Sequence, residues 1–174
     1  MEIERYGIKL RSVNIDDAEF IIMLRTDSKK SRFISSTGSD IELQKKWIEG
    51  YIKREAENKE YYFIAIDEKG EKFATYRVYN IEDDICEIGS WVSKPGYENT
   101  NNSIKVDLIM KEFVFETLKY SKVRFEVNKA NTSVVKYHKL FNPILVRESE
   151  DNNYFILEKE NFESRRNKIF NNIK

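Results

Sequence analysis

The sequence predicts an α/β domain on a mixed, mostly antiparallel sheet, and three stretches carry that prediction. Residues 61–66, 72–79 and 84–93 read as consecutive strands joined by short polar turns, Asp67–Gly70 and Asn80–Asp84, which makes a meander. A helix from Ser103 to about Leu118 then leads to another strand at Lys122–Asn128, the pattern of a crossover between parallel neighbours. Ahead of the meander lie one strand and two amphipathic helices, so the full order is β-α-α-β-β-β-α-β-α-β-β. With 174 residues, two prolines and six glycines, the chain leaves no room for a long linker and reads as one domain, 1–174.

In chain order, Ile8–Val13 alternates as a strand, and Asn14 is placed to cap a helix with Ile15, Ala18, Ile21 and Ile22 on one face. A polar loop follows over Arg32–Gly38. The second helix is expected to start at Ser39, with Glu42 completing a capping box, and to bury Leu43, Trp47, Ile48, Tyr51 and Ile52. Tyr61–Ile66 is apolar on both faces. Its hairpin partner sets Phe73, Thr75, Arg77 and Tyr79 on one face and Ala74, Tyr76 and Val78 on the other. The long helix shows a polar stripe of only Lys105, Glu112, Glu116 and Lys119, so its broad side should lie on a sheet. Asp107 and Lys111, four apart in the apolar sector, are expected to pair. Asn131 begins a short helix that Asn142-Pro143 stops. Strands at 144–148 and 154–159 follow, and 161–174 is a charged tail, read as a frayed helix.

Thirty Lys and Arg balance thirty Asp and Glu. A dedicated nucleic-acid binder would show a basic excess, so none is expected. The lone Cys86 sits in an apolar strand and can form no internal disulfide. No long apolar run suggests a membrane span, and a cytoplasmic location is expected. One His and one Cys supply no metal-ligand spacing.

The stretch from Cys86 through Trp91, Lys94-Pro95-Gly96 and Asn99–Ser103 into Leu108 delivers a strand to a loop and then to a helix start. The free N–H groups and positive dipole end there favour a phosphate. Together with Leu10-Arg11, Asp16-Asp17-Ala18, Glu60–Ile64, Gly89-Ser90-Trp91-Val92, Phe113–Leu118 and Asn131–His138, it gives the chain a resemblance to the GNAT acyltransferases. The resemblance is greatest to their branch similar to the ribosomal-protein acetyltransferases RimJ and RimL, and to members associated with bacterial surface polysaccharides.

The resemblance implies acetyl-CoA as co-substrate, lying where the parallel strands 84–93 and 122–128 splay, and direct attack of a primary amine on the thioester. It implies donor contacts from Ile88, Ser90, Trp91 and Val92 on the strand, from Asn101, Asn102 and Ser103 at the phosphate loop, and from Asn131. That loop departs from the family pattern: Glu98, Asn101 and Ser103 stand where Arg or Gln, Gly, and Gly or Ala are usual. Asn tolerates positive φ and Ser is small, so backbone amides could still face a pyrophosphate. The resemblance also puts His138 where a thiolate-protonating Tyr often stands, and a pKa near neutrality would suit proton transfer. A histidine satisfied by a nearby carbonyl is the alternative. Tyr137 is the adjacent fallback.

Glu87 is a carboxylate in apolar company and thus a candidate base, or else the partner of Arg77 or Arg124. Arg77 and Tyr79 are candidates to line the acceptor pocket, where Arg could hold a carboxylate or phosphate. Ser35, Ser36 and Thr37 fall in the loop that shapes the acceptor site in the family. The expected acceptor is a small amine, a nucleotide-linked amino sugar by resemblance, with no nucleic acid or membrane partner and with a homodimer allowed. A protein N-terminal or lysine acetyltransferase, and a non-catalytic binding module of the same shape, are the other readings.

Overall fold

The computed structural model describes residues 1–27, 37–98 and 100–173. Strands β1 (Glu2–Arg5), β2 (Ile8–Ser12), β3 (Tyr61–Ile66), β4 (Lys72–Glu82), β5 (Ile85–Ser93), β6 (Lys122–Asn128), β7 (Ile144–Glu148) and β8 (Asn152–Glu158) form one sheet in the order β1-β2-β3-β4-β5-β6-β8-β7. Every neighbouring pair is antiparallel except β5–β6. The helices are α1 (Ala18–Thr26), α2 (Ile41–Ala56), α3 (Asn101–Glu112), α4 (Thr132–Lys139) and α5 (Lys159–Asn171). The meander and the crossover are as the sequence predicts.

The register sorts side chains between two cores. On one face, Tyr61, Phe63 and Ala65 of β3 align with Val78, Tyr76 and Ala74 of β4, in that order, and pack with Cys86, Ile88 and the apolar flank of α3. On the other, Tyr62 and Ile64 join Val13, Ala18 and Ile21 on the α1 side and Ile48 and Tyr51 of α2. Two apolar layers on opposite sides of one sheet account for the fully apolar β3.

Several elements differ from expectation. The first strand is missing from the sequence reading: β1 pairs with β2 across a Tyr6-Gly7 turn in which both residues have positive φ. Asn14 caps a 3₁₀ turn over Ile15–Asp17 that precedes α1. Asp40, not Ser39, caps α2, its carboxylate accepting from the Glu42 and Leu43 N–H groups. Of the expected α2 stripe only Ile48 and Tyr51 are buried, while Leu43, Trp47 and Ile52 are exposed. The third helix begins two residues early and ends in a π turn over Phe113–Thr117. Glu112, expected in a solvated stripe, is buried, because Arg5, Tyr6 and Arg166 all donate to it. Instead of fraying, the C-terminal segment forms α5 and buries Phe162 and Ile169 in the main core.

Candidate active site

The parallel strands β5 and β6 pair over three positions only, Ile85 with Lys122, Cys86 with Val123 and Glu87 with Arg124. Both continue beyond, β5 to Ser93 and β6 to Asn128, so they splay into a V. Past Glu87 the backbone edge of β5 that faces β6 has no partner strand, and its N–H and C=O groups there are available to a ligand. Within this segment β5 bulges: Arg77 pairs with Gly89 but Thr75 with Val92, an extra residue on β5. Ser90 takes the strain at φ 52°, and its carbonyl accepts from the Thr75 hydroxyl at 3.1 Å. Ile88 is core, so it could meet a donor through its backbone alone. The bulge turns Trp91 onto the α3 face, where its ring stacks on Tyr76 at 5.5 Å.

The chain leaves β5 through Pro95-Gly96 and enters α3 at Thr100, whose side chain makes no capping bond. The opening N–H groups of α3, at Asn101, Asn102 and Ser103, are the ones without intrahelical partners. Side chains brace the loop around them. Ser103 Oγ meets Ser93 Oγ at 2.9 Å and donates to the Tyr97 carbonyl, and Asn101 Nδ2 donates to the Ile173 carbonyl. Glu98, which stands where the family pattern has Arg or Gln, accepts from the Gly96 N–H. The loop thus leaves free amides at the start of α3 without the usual glycines.

Below the V lies a buried polar cluster. Asp107 of α3 accepts from Tyr76 and from Tyr137 of α4, each at 2.6 Å, and forms the expected ion pair with Lys111. Asp107 and Lys111 are both fully buried. Burial opposes the Asp107 charge, but Lys111 and the other polar groups around it, the Tyr137 hydroxyl among them, together outweigh it and hold the carboxyl below its usual range. Tyr137 is pushed far the other way, by burial and by the charge of Asp107.

His138 lies between Trp91 and Phe125, with ring centroids 5.9 and 4.4 Å away. Burial, then the Lys111 charge, lower its pKa to about 3, so the near-neutral value read from sequence is corrected: the imidazole is uncharged. It can donate a hydrogen bond but holds no spare proton. Its Nδ1 and the Trp91 Nε1 are buried without a hydrogen-bond partner. Asn131 stands at the N-cap position of α4, although its side chain caps nothing.

The opposite face of the sheet carries Glu87, Tyr79 and Arg77. Glu87 accepts from the Tyr79 hydroxyl and from Asn80 Nδ2, both at 2.9 Å, and lies 3.7 Å from Arg124, one of the two arginines expected as its partner. Burial and the adjacent Glu87 raise the Tyr79 pKa. The Tyr79 ring crosses over Gly89, where a Cβ would come within 2.6 Å of its hydroxyl. Arg77 is tethered to Glu60, Nε donating at 2.8 Å, and its guanidinium is flanked by Trp47, Tyr62 and Tyr79 at 5.0, 5.7 and 4.6 Å. Arg54 takes the other Glu60 oxygen at 2.6 Å. One carboxylate therefore faces two guanidiniums, leaving a surplus positive charge.

That surplus borders a cavity of about 310 Å³ between α1, α2, β3 and β4. Arg25, Thr37, Asp40, Gln44, Trp47 and Arg77 are among its lining residues. Arg25 donates to the Thr37 hydroxyl. Ser35 and Ser36 lie outside the described residues. Sequence reasoning found Arg77 but missed Arg25, Glu60 and Trp47. The available signal was Glu60-Tyr61-Tyr62, an acid leading into an apolar strand.

The model of the acetyltransferase (GNAT) domain family matches residues 8–139. The chain belongs to this family. A search of curated proteins by sequence found no match. Among solved structures, apo FdhC, described as a nucleotide-linked sugar GNAT, is 28% identical and superposes with a TM-score of 0.86 over 97% of this chain and 96% of that one. The ribosomal-protein-S5-alanine acetyltransferase of Vibrio fischeri is similar in fold, at 12% identity and TM-score 0.79 over 92% and 97% of the two chains. So is the spermidine N-acetyltransferase of Vibrio cholerae with CoA and spermine, at 16% identity and TM-score 0.76 over 91% and 99%. Among the described residues no helix is long and apolar enough to cross a membrane, and no group of His, Cys, Asp and Glu could hold a metal ion.

Proposed function

We propose that this GNAT acetyltransferase is an acetyl-CoA-dependent N-acetyltransferase whose acceptor is the primary amine of a nucleotide-linked sugar. The observation that carries the choice of acceptor is Arg77, held by Glu60 and three aromatic rings at the wall of the cavity. A pre-positioned guanidinium with a surplus charge suits phosphate oxygens. It is unsuited to a polyamine, whose own charges it would repel. The likeness to a nucleotide-linked sugar GNAT supports the same choice.

The residues around the V fit the donor: unpaired backbone on β5, free amides at the start of α3, and two buried polar atoms without partners beside Trp91. The donor supplies an acyl thioester open to attack by an amine. Glu87, on the acceptor face, takes the proton the amine loses, and its hydrogen bond from Tyr79 orients it for that task. Backbone N–H groups near the bulge face the developing oxyanion. His138, uncharged, donates an N–H to the leaving sulfur, and Tyr137 is the neighbouring hydroxyl.

The test is calorimetric titration with acetyl-CoA and dephospho-acetyl-CoA, then a turnover screen of nucleotide-linked amino sugars, N-terminal peptides and spermidine. Micromolar acetyl-CoA binding and turnover of an amino sugar nucleotide are expected. Turnover of peptides alone would favour the ribosomal-protein type of acceptor. No binding at millimolar acetyl-CoA would overturn the enzyme reading in favour of a binding module.

A further inference from the structure

The Asp107–Lys111 pair stands where an ion pair is poor value for stability. Both side chains are fully buried, and an apolar pair of similar volume in such a place is often as stable or more so. Lys111 finds one carboxylate and, for the rest, aromatic faces, with Phe141 4.6 Å away and Tyr137 5.5 Å away. What the pair does have is position. Through Tyr76, Asp107 grips β4, and the Tyr76 ring stacks on Trp91 of the β5 bulge. Through Tyr137, it grips α4, the helix that follows β6 and carries His138. One carboxylate thus ties β4, which flanks one arm of the V, to α4, which follows the other, beside the point where the arms stop pairing with each other.

A second observation points to the same place. Trp91 Nε1 on β5 and His138 Nδ1 on α4 are the buried side-chain nitrogens and oxygens left without a partner among the described residues. Buried polar groups are nearly always satisfied, and an unsatisfied one calls for a ligand or an ordered water. The two rings meet edge to face, with centroids 5.9 Å apart, and the Asp107 bridge holds the elements that carry them.

We propose that Asp107 and Lys111 are positioning residues of the donor site, holding the Trp91 indole against the His138 imidazole at the base of the V so that their unpartnered nitrogens can receive polar atoms of the acyl donor. The inference rests on the acetyl-CoA reading above. A strut of this kind acts on donor affinity and leaves acceptor recognition on the other face of the sheet untouched.

The experiment compares the unsubstituted protein with the triple variant Tyr76→Phe/Asp107→Leu/Lys111→Met, which replaces the strut by apolar groups, and with Trp91→Phe, which keeps the stack and removes the indole N–H. Calorimetry with acetyl-CoA, thermal unfolding and steady-state kinetics are read together. The triple variant should melt within a few degrees of the parent, bind acetyl-CoA about tenfold more weakly and keep the acceptor KM. Trp91→Phe should lose about fivefold in acetyl-CoA affinity, the size of one ordinary hydrogen bond. Acetyl-CoA affinities within twofold of the parent, in the triple variant or, if that variant does not fold, in Tyr76→Phe, would overturn the proposal while leaving the acetyltransferase reading standing. Failure of the parent itself to bind acetyl-CoA would overturn both.

Discussion

Replacing Asp17 by asparagine removes a carboxylate on which four donors converge: Arg11 Nη1 at 2.6 Å and Nη2 at 2.8 Å, Lys72 Nζ at 2.7 Å, and the Asn14 N–H at 2.9 Å. Asp17 is fully buried, and through it the 3₁₀ turn before α1 is pinned to β2 and to the start of β4. An asparagine offers one acceptor oxygen and points two N–H groups at the remaining cations. At least two charge-assisted bonds are lost, each worth about 1.5–3 kcal/mol. Lys72 is 37% exposed and Arg11 19%, so water recovers part of that loss. The expected cost is about 3 kcal/mol, or about 6–12 °C in Tm for a domain of this size. Urea denaturation at pH 7 should show the midpoint falling at constant slope.

The pH dependence has a definite sign. Burial works against the Asp17 charge, but Arg11, the Asn14 amide and Lys72 outweigh it and hold the pKa below the usual carboxylate value. Asp17 therefore stabilises the fold above its unfolded pKa of about 3.9, and that contribution fades as pH falls from there through the folded value. The gap between parent and Asp17→Asn should narrow below about pH 4. A loss under about 1 kcal/mol at pH 7 would refute the reasoning, since it would mean that water serves Arg11 and Lys72 as well as Asp17 does.

His138 should show no titration of its ring C–H resonances between pH 8 and pH 5, and a midpoint near 6.5 would contradict its burial beside Lys111. Because its folded pKa of about 3 lies below the unfolded one, its contribution to stability should decline as pH falls below about 6.5. Glu87→Gln should lower kcat by a factor that shrinks at high pH, where the amine sheds its proton unaided; a loss independent of pH would exclude the base role. Gly89→Ala should fold normally but push Tyr79 off Glu87, lowering kcat with little change in acetyl-CoA affinity, and an unchanged kcat would show that the Tyr79–Glu87 bond is dispensable.

Much of the architecture was legible because it rests on local patterns. The unbroken apolar run of 61–66 calls for cover on both faces, and the two-faced strand 72–79 and the apolar girth of the long helix show which sides must be buried. β1 was illegible because Glu2–Arg5 has a single apolar residue, Ile3, and owes its place to pairing with β2. The α2 stripe misled because Leu43 and Trp47 satisfy helical periodicity while facing a cavity. Glu112 misled because the cations that bury it come from residues 5 and 166, far away in sequence. At the site, Asp107–Lys111 was readable from its spacing and Arg77 from its place on a strand face. The Glu60 tether and the depressed pKa of His138 were not, because each depends on groups that only the folded chain brings near.

The extra residue in β5 also changes how the strand must be read. Before Ser90, odd-numbered residues (Glu87, Gly89) look toward the acceptor and even-numbered ones toward the core; after it, Trp91 and Ser93 look toward α3. Ser90 acts as a phase shift in a two-beat rhythm, and flattening it into a regular strand position would invert the strand beyond that point. The indole would then rise among Glu87, Tyr79 and Arg77, and the floor of the cleft would lose the ring that Tyr76 supports. A single small residue in the left-handed region thus keeps the chemistry of the amine and the seat of the thioester on separate sides of one strand.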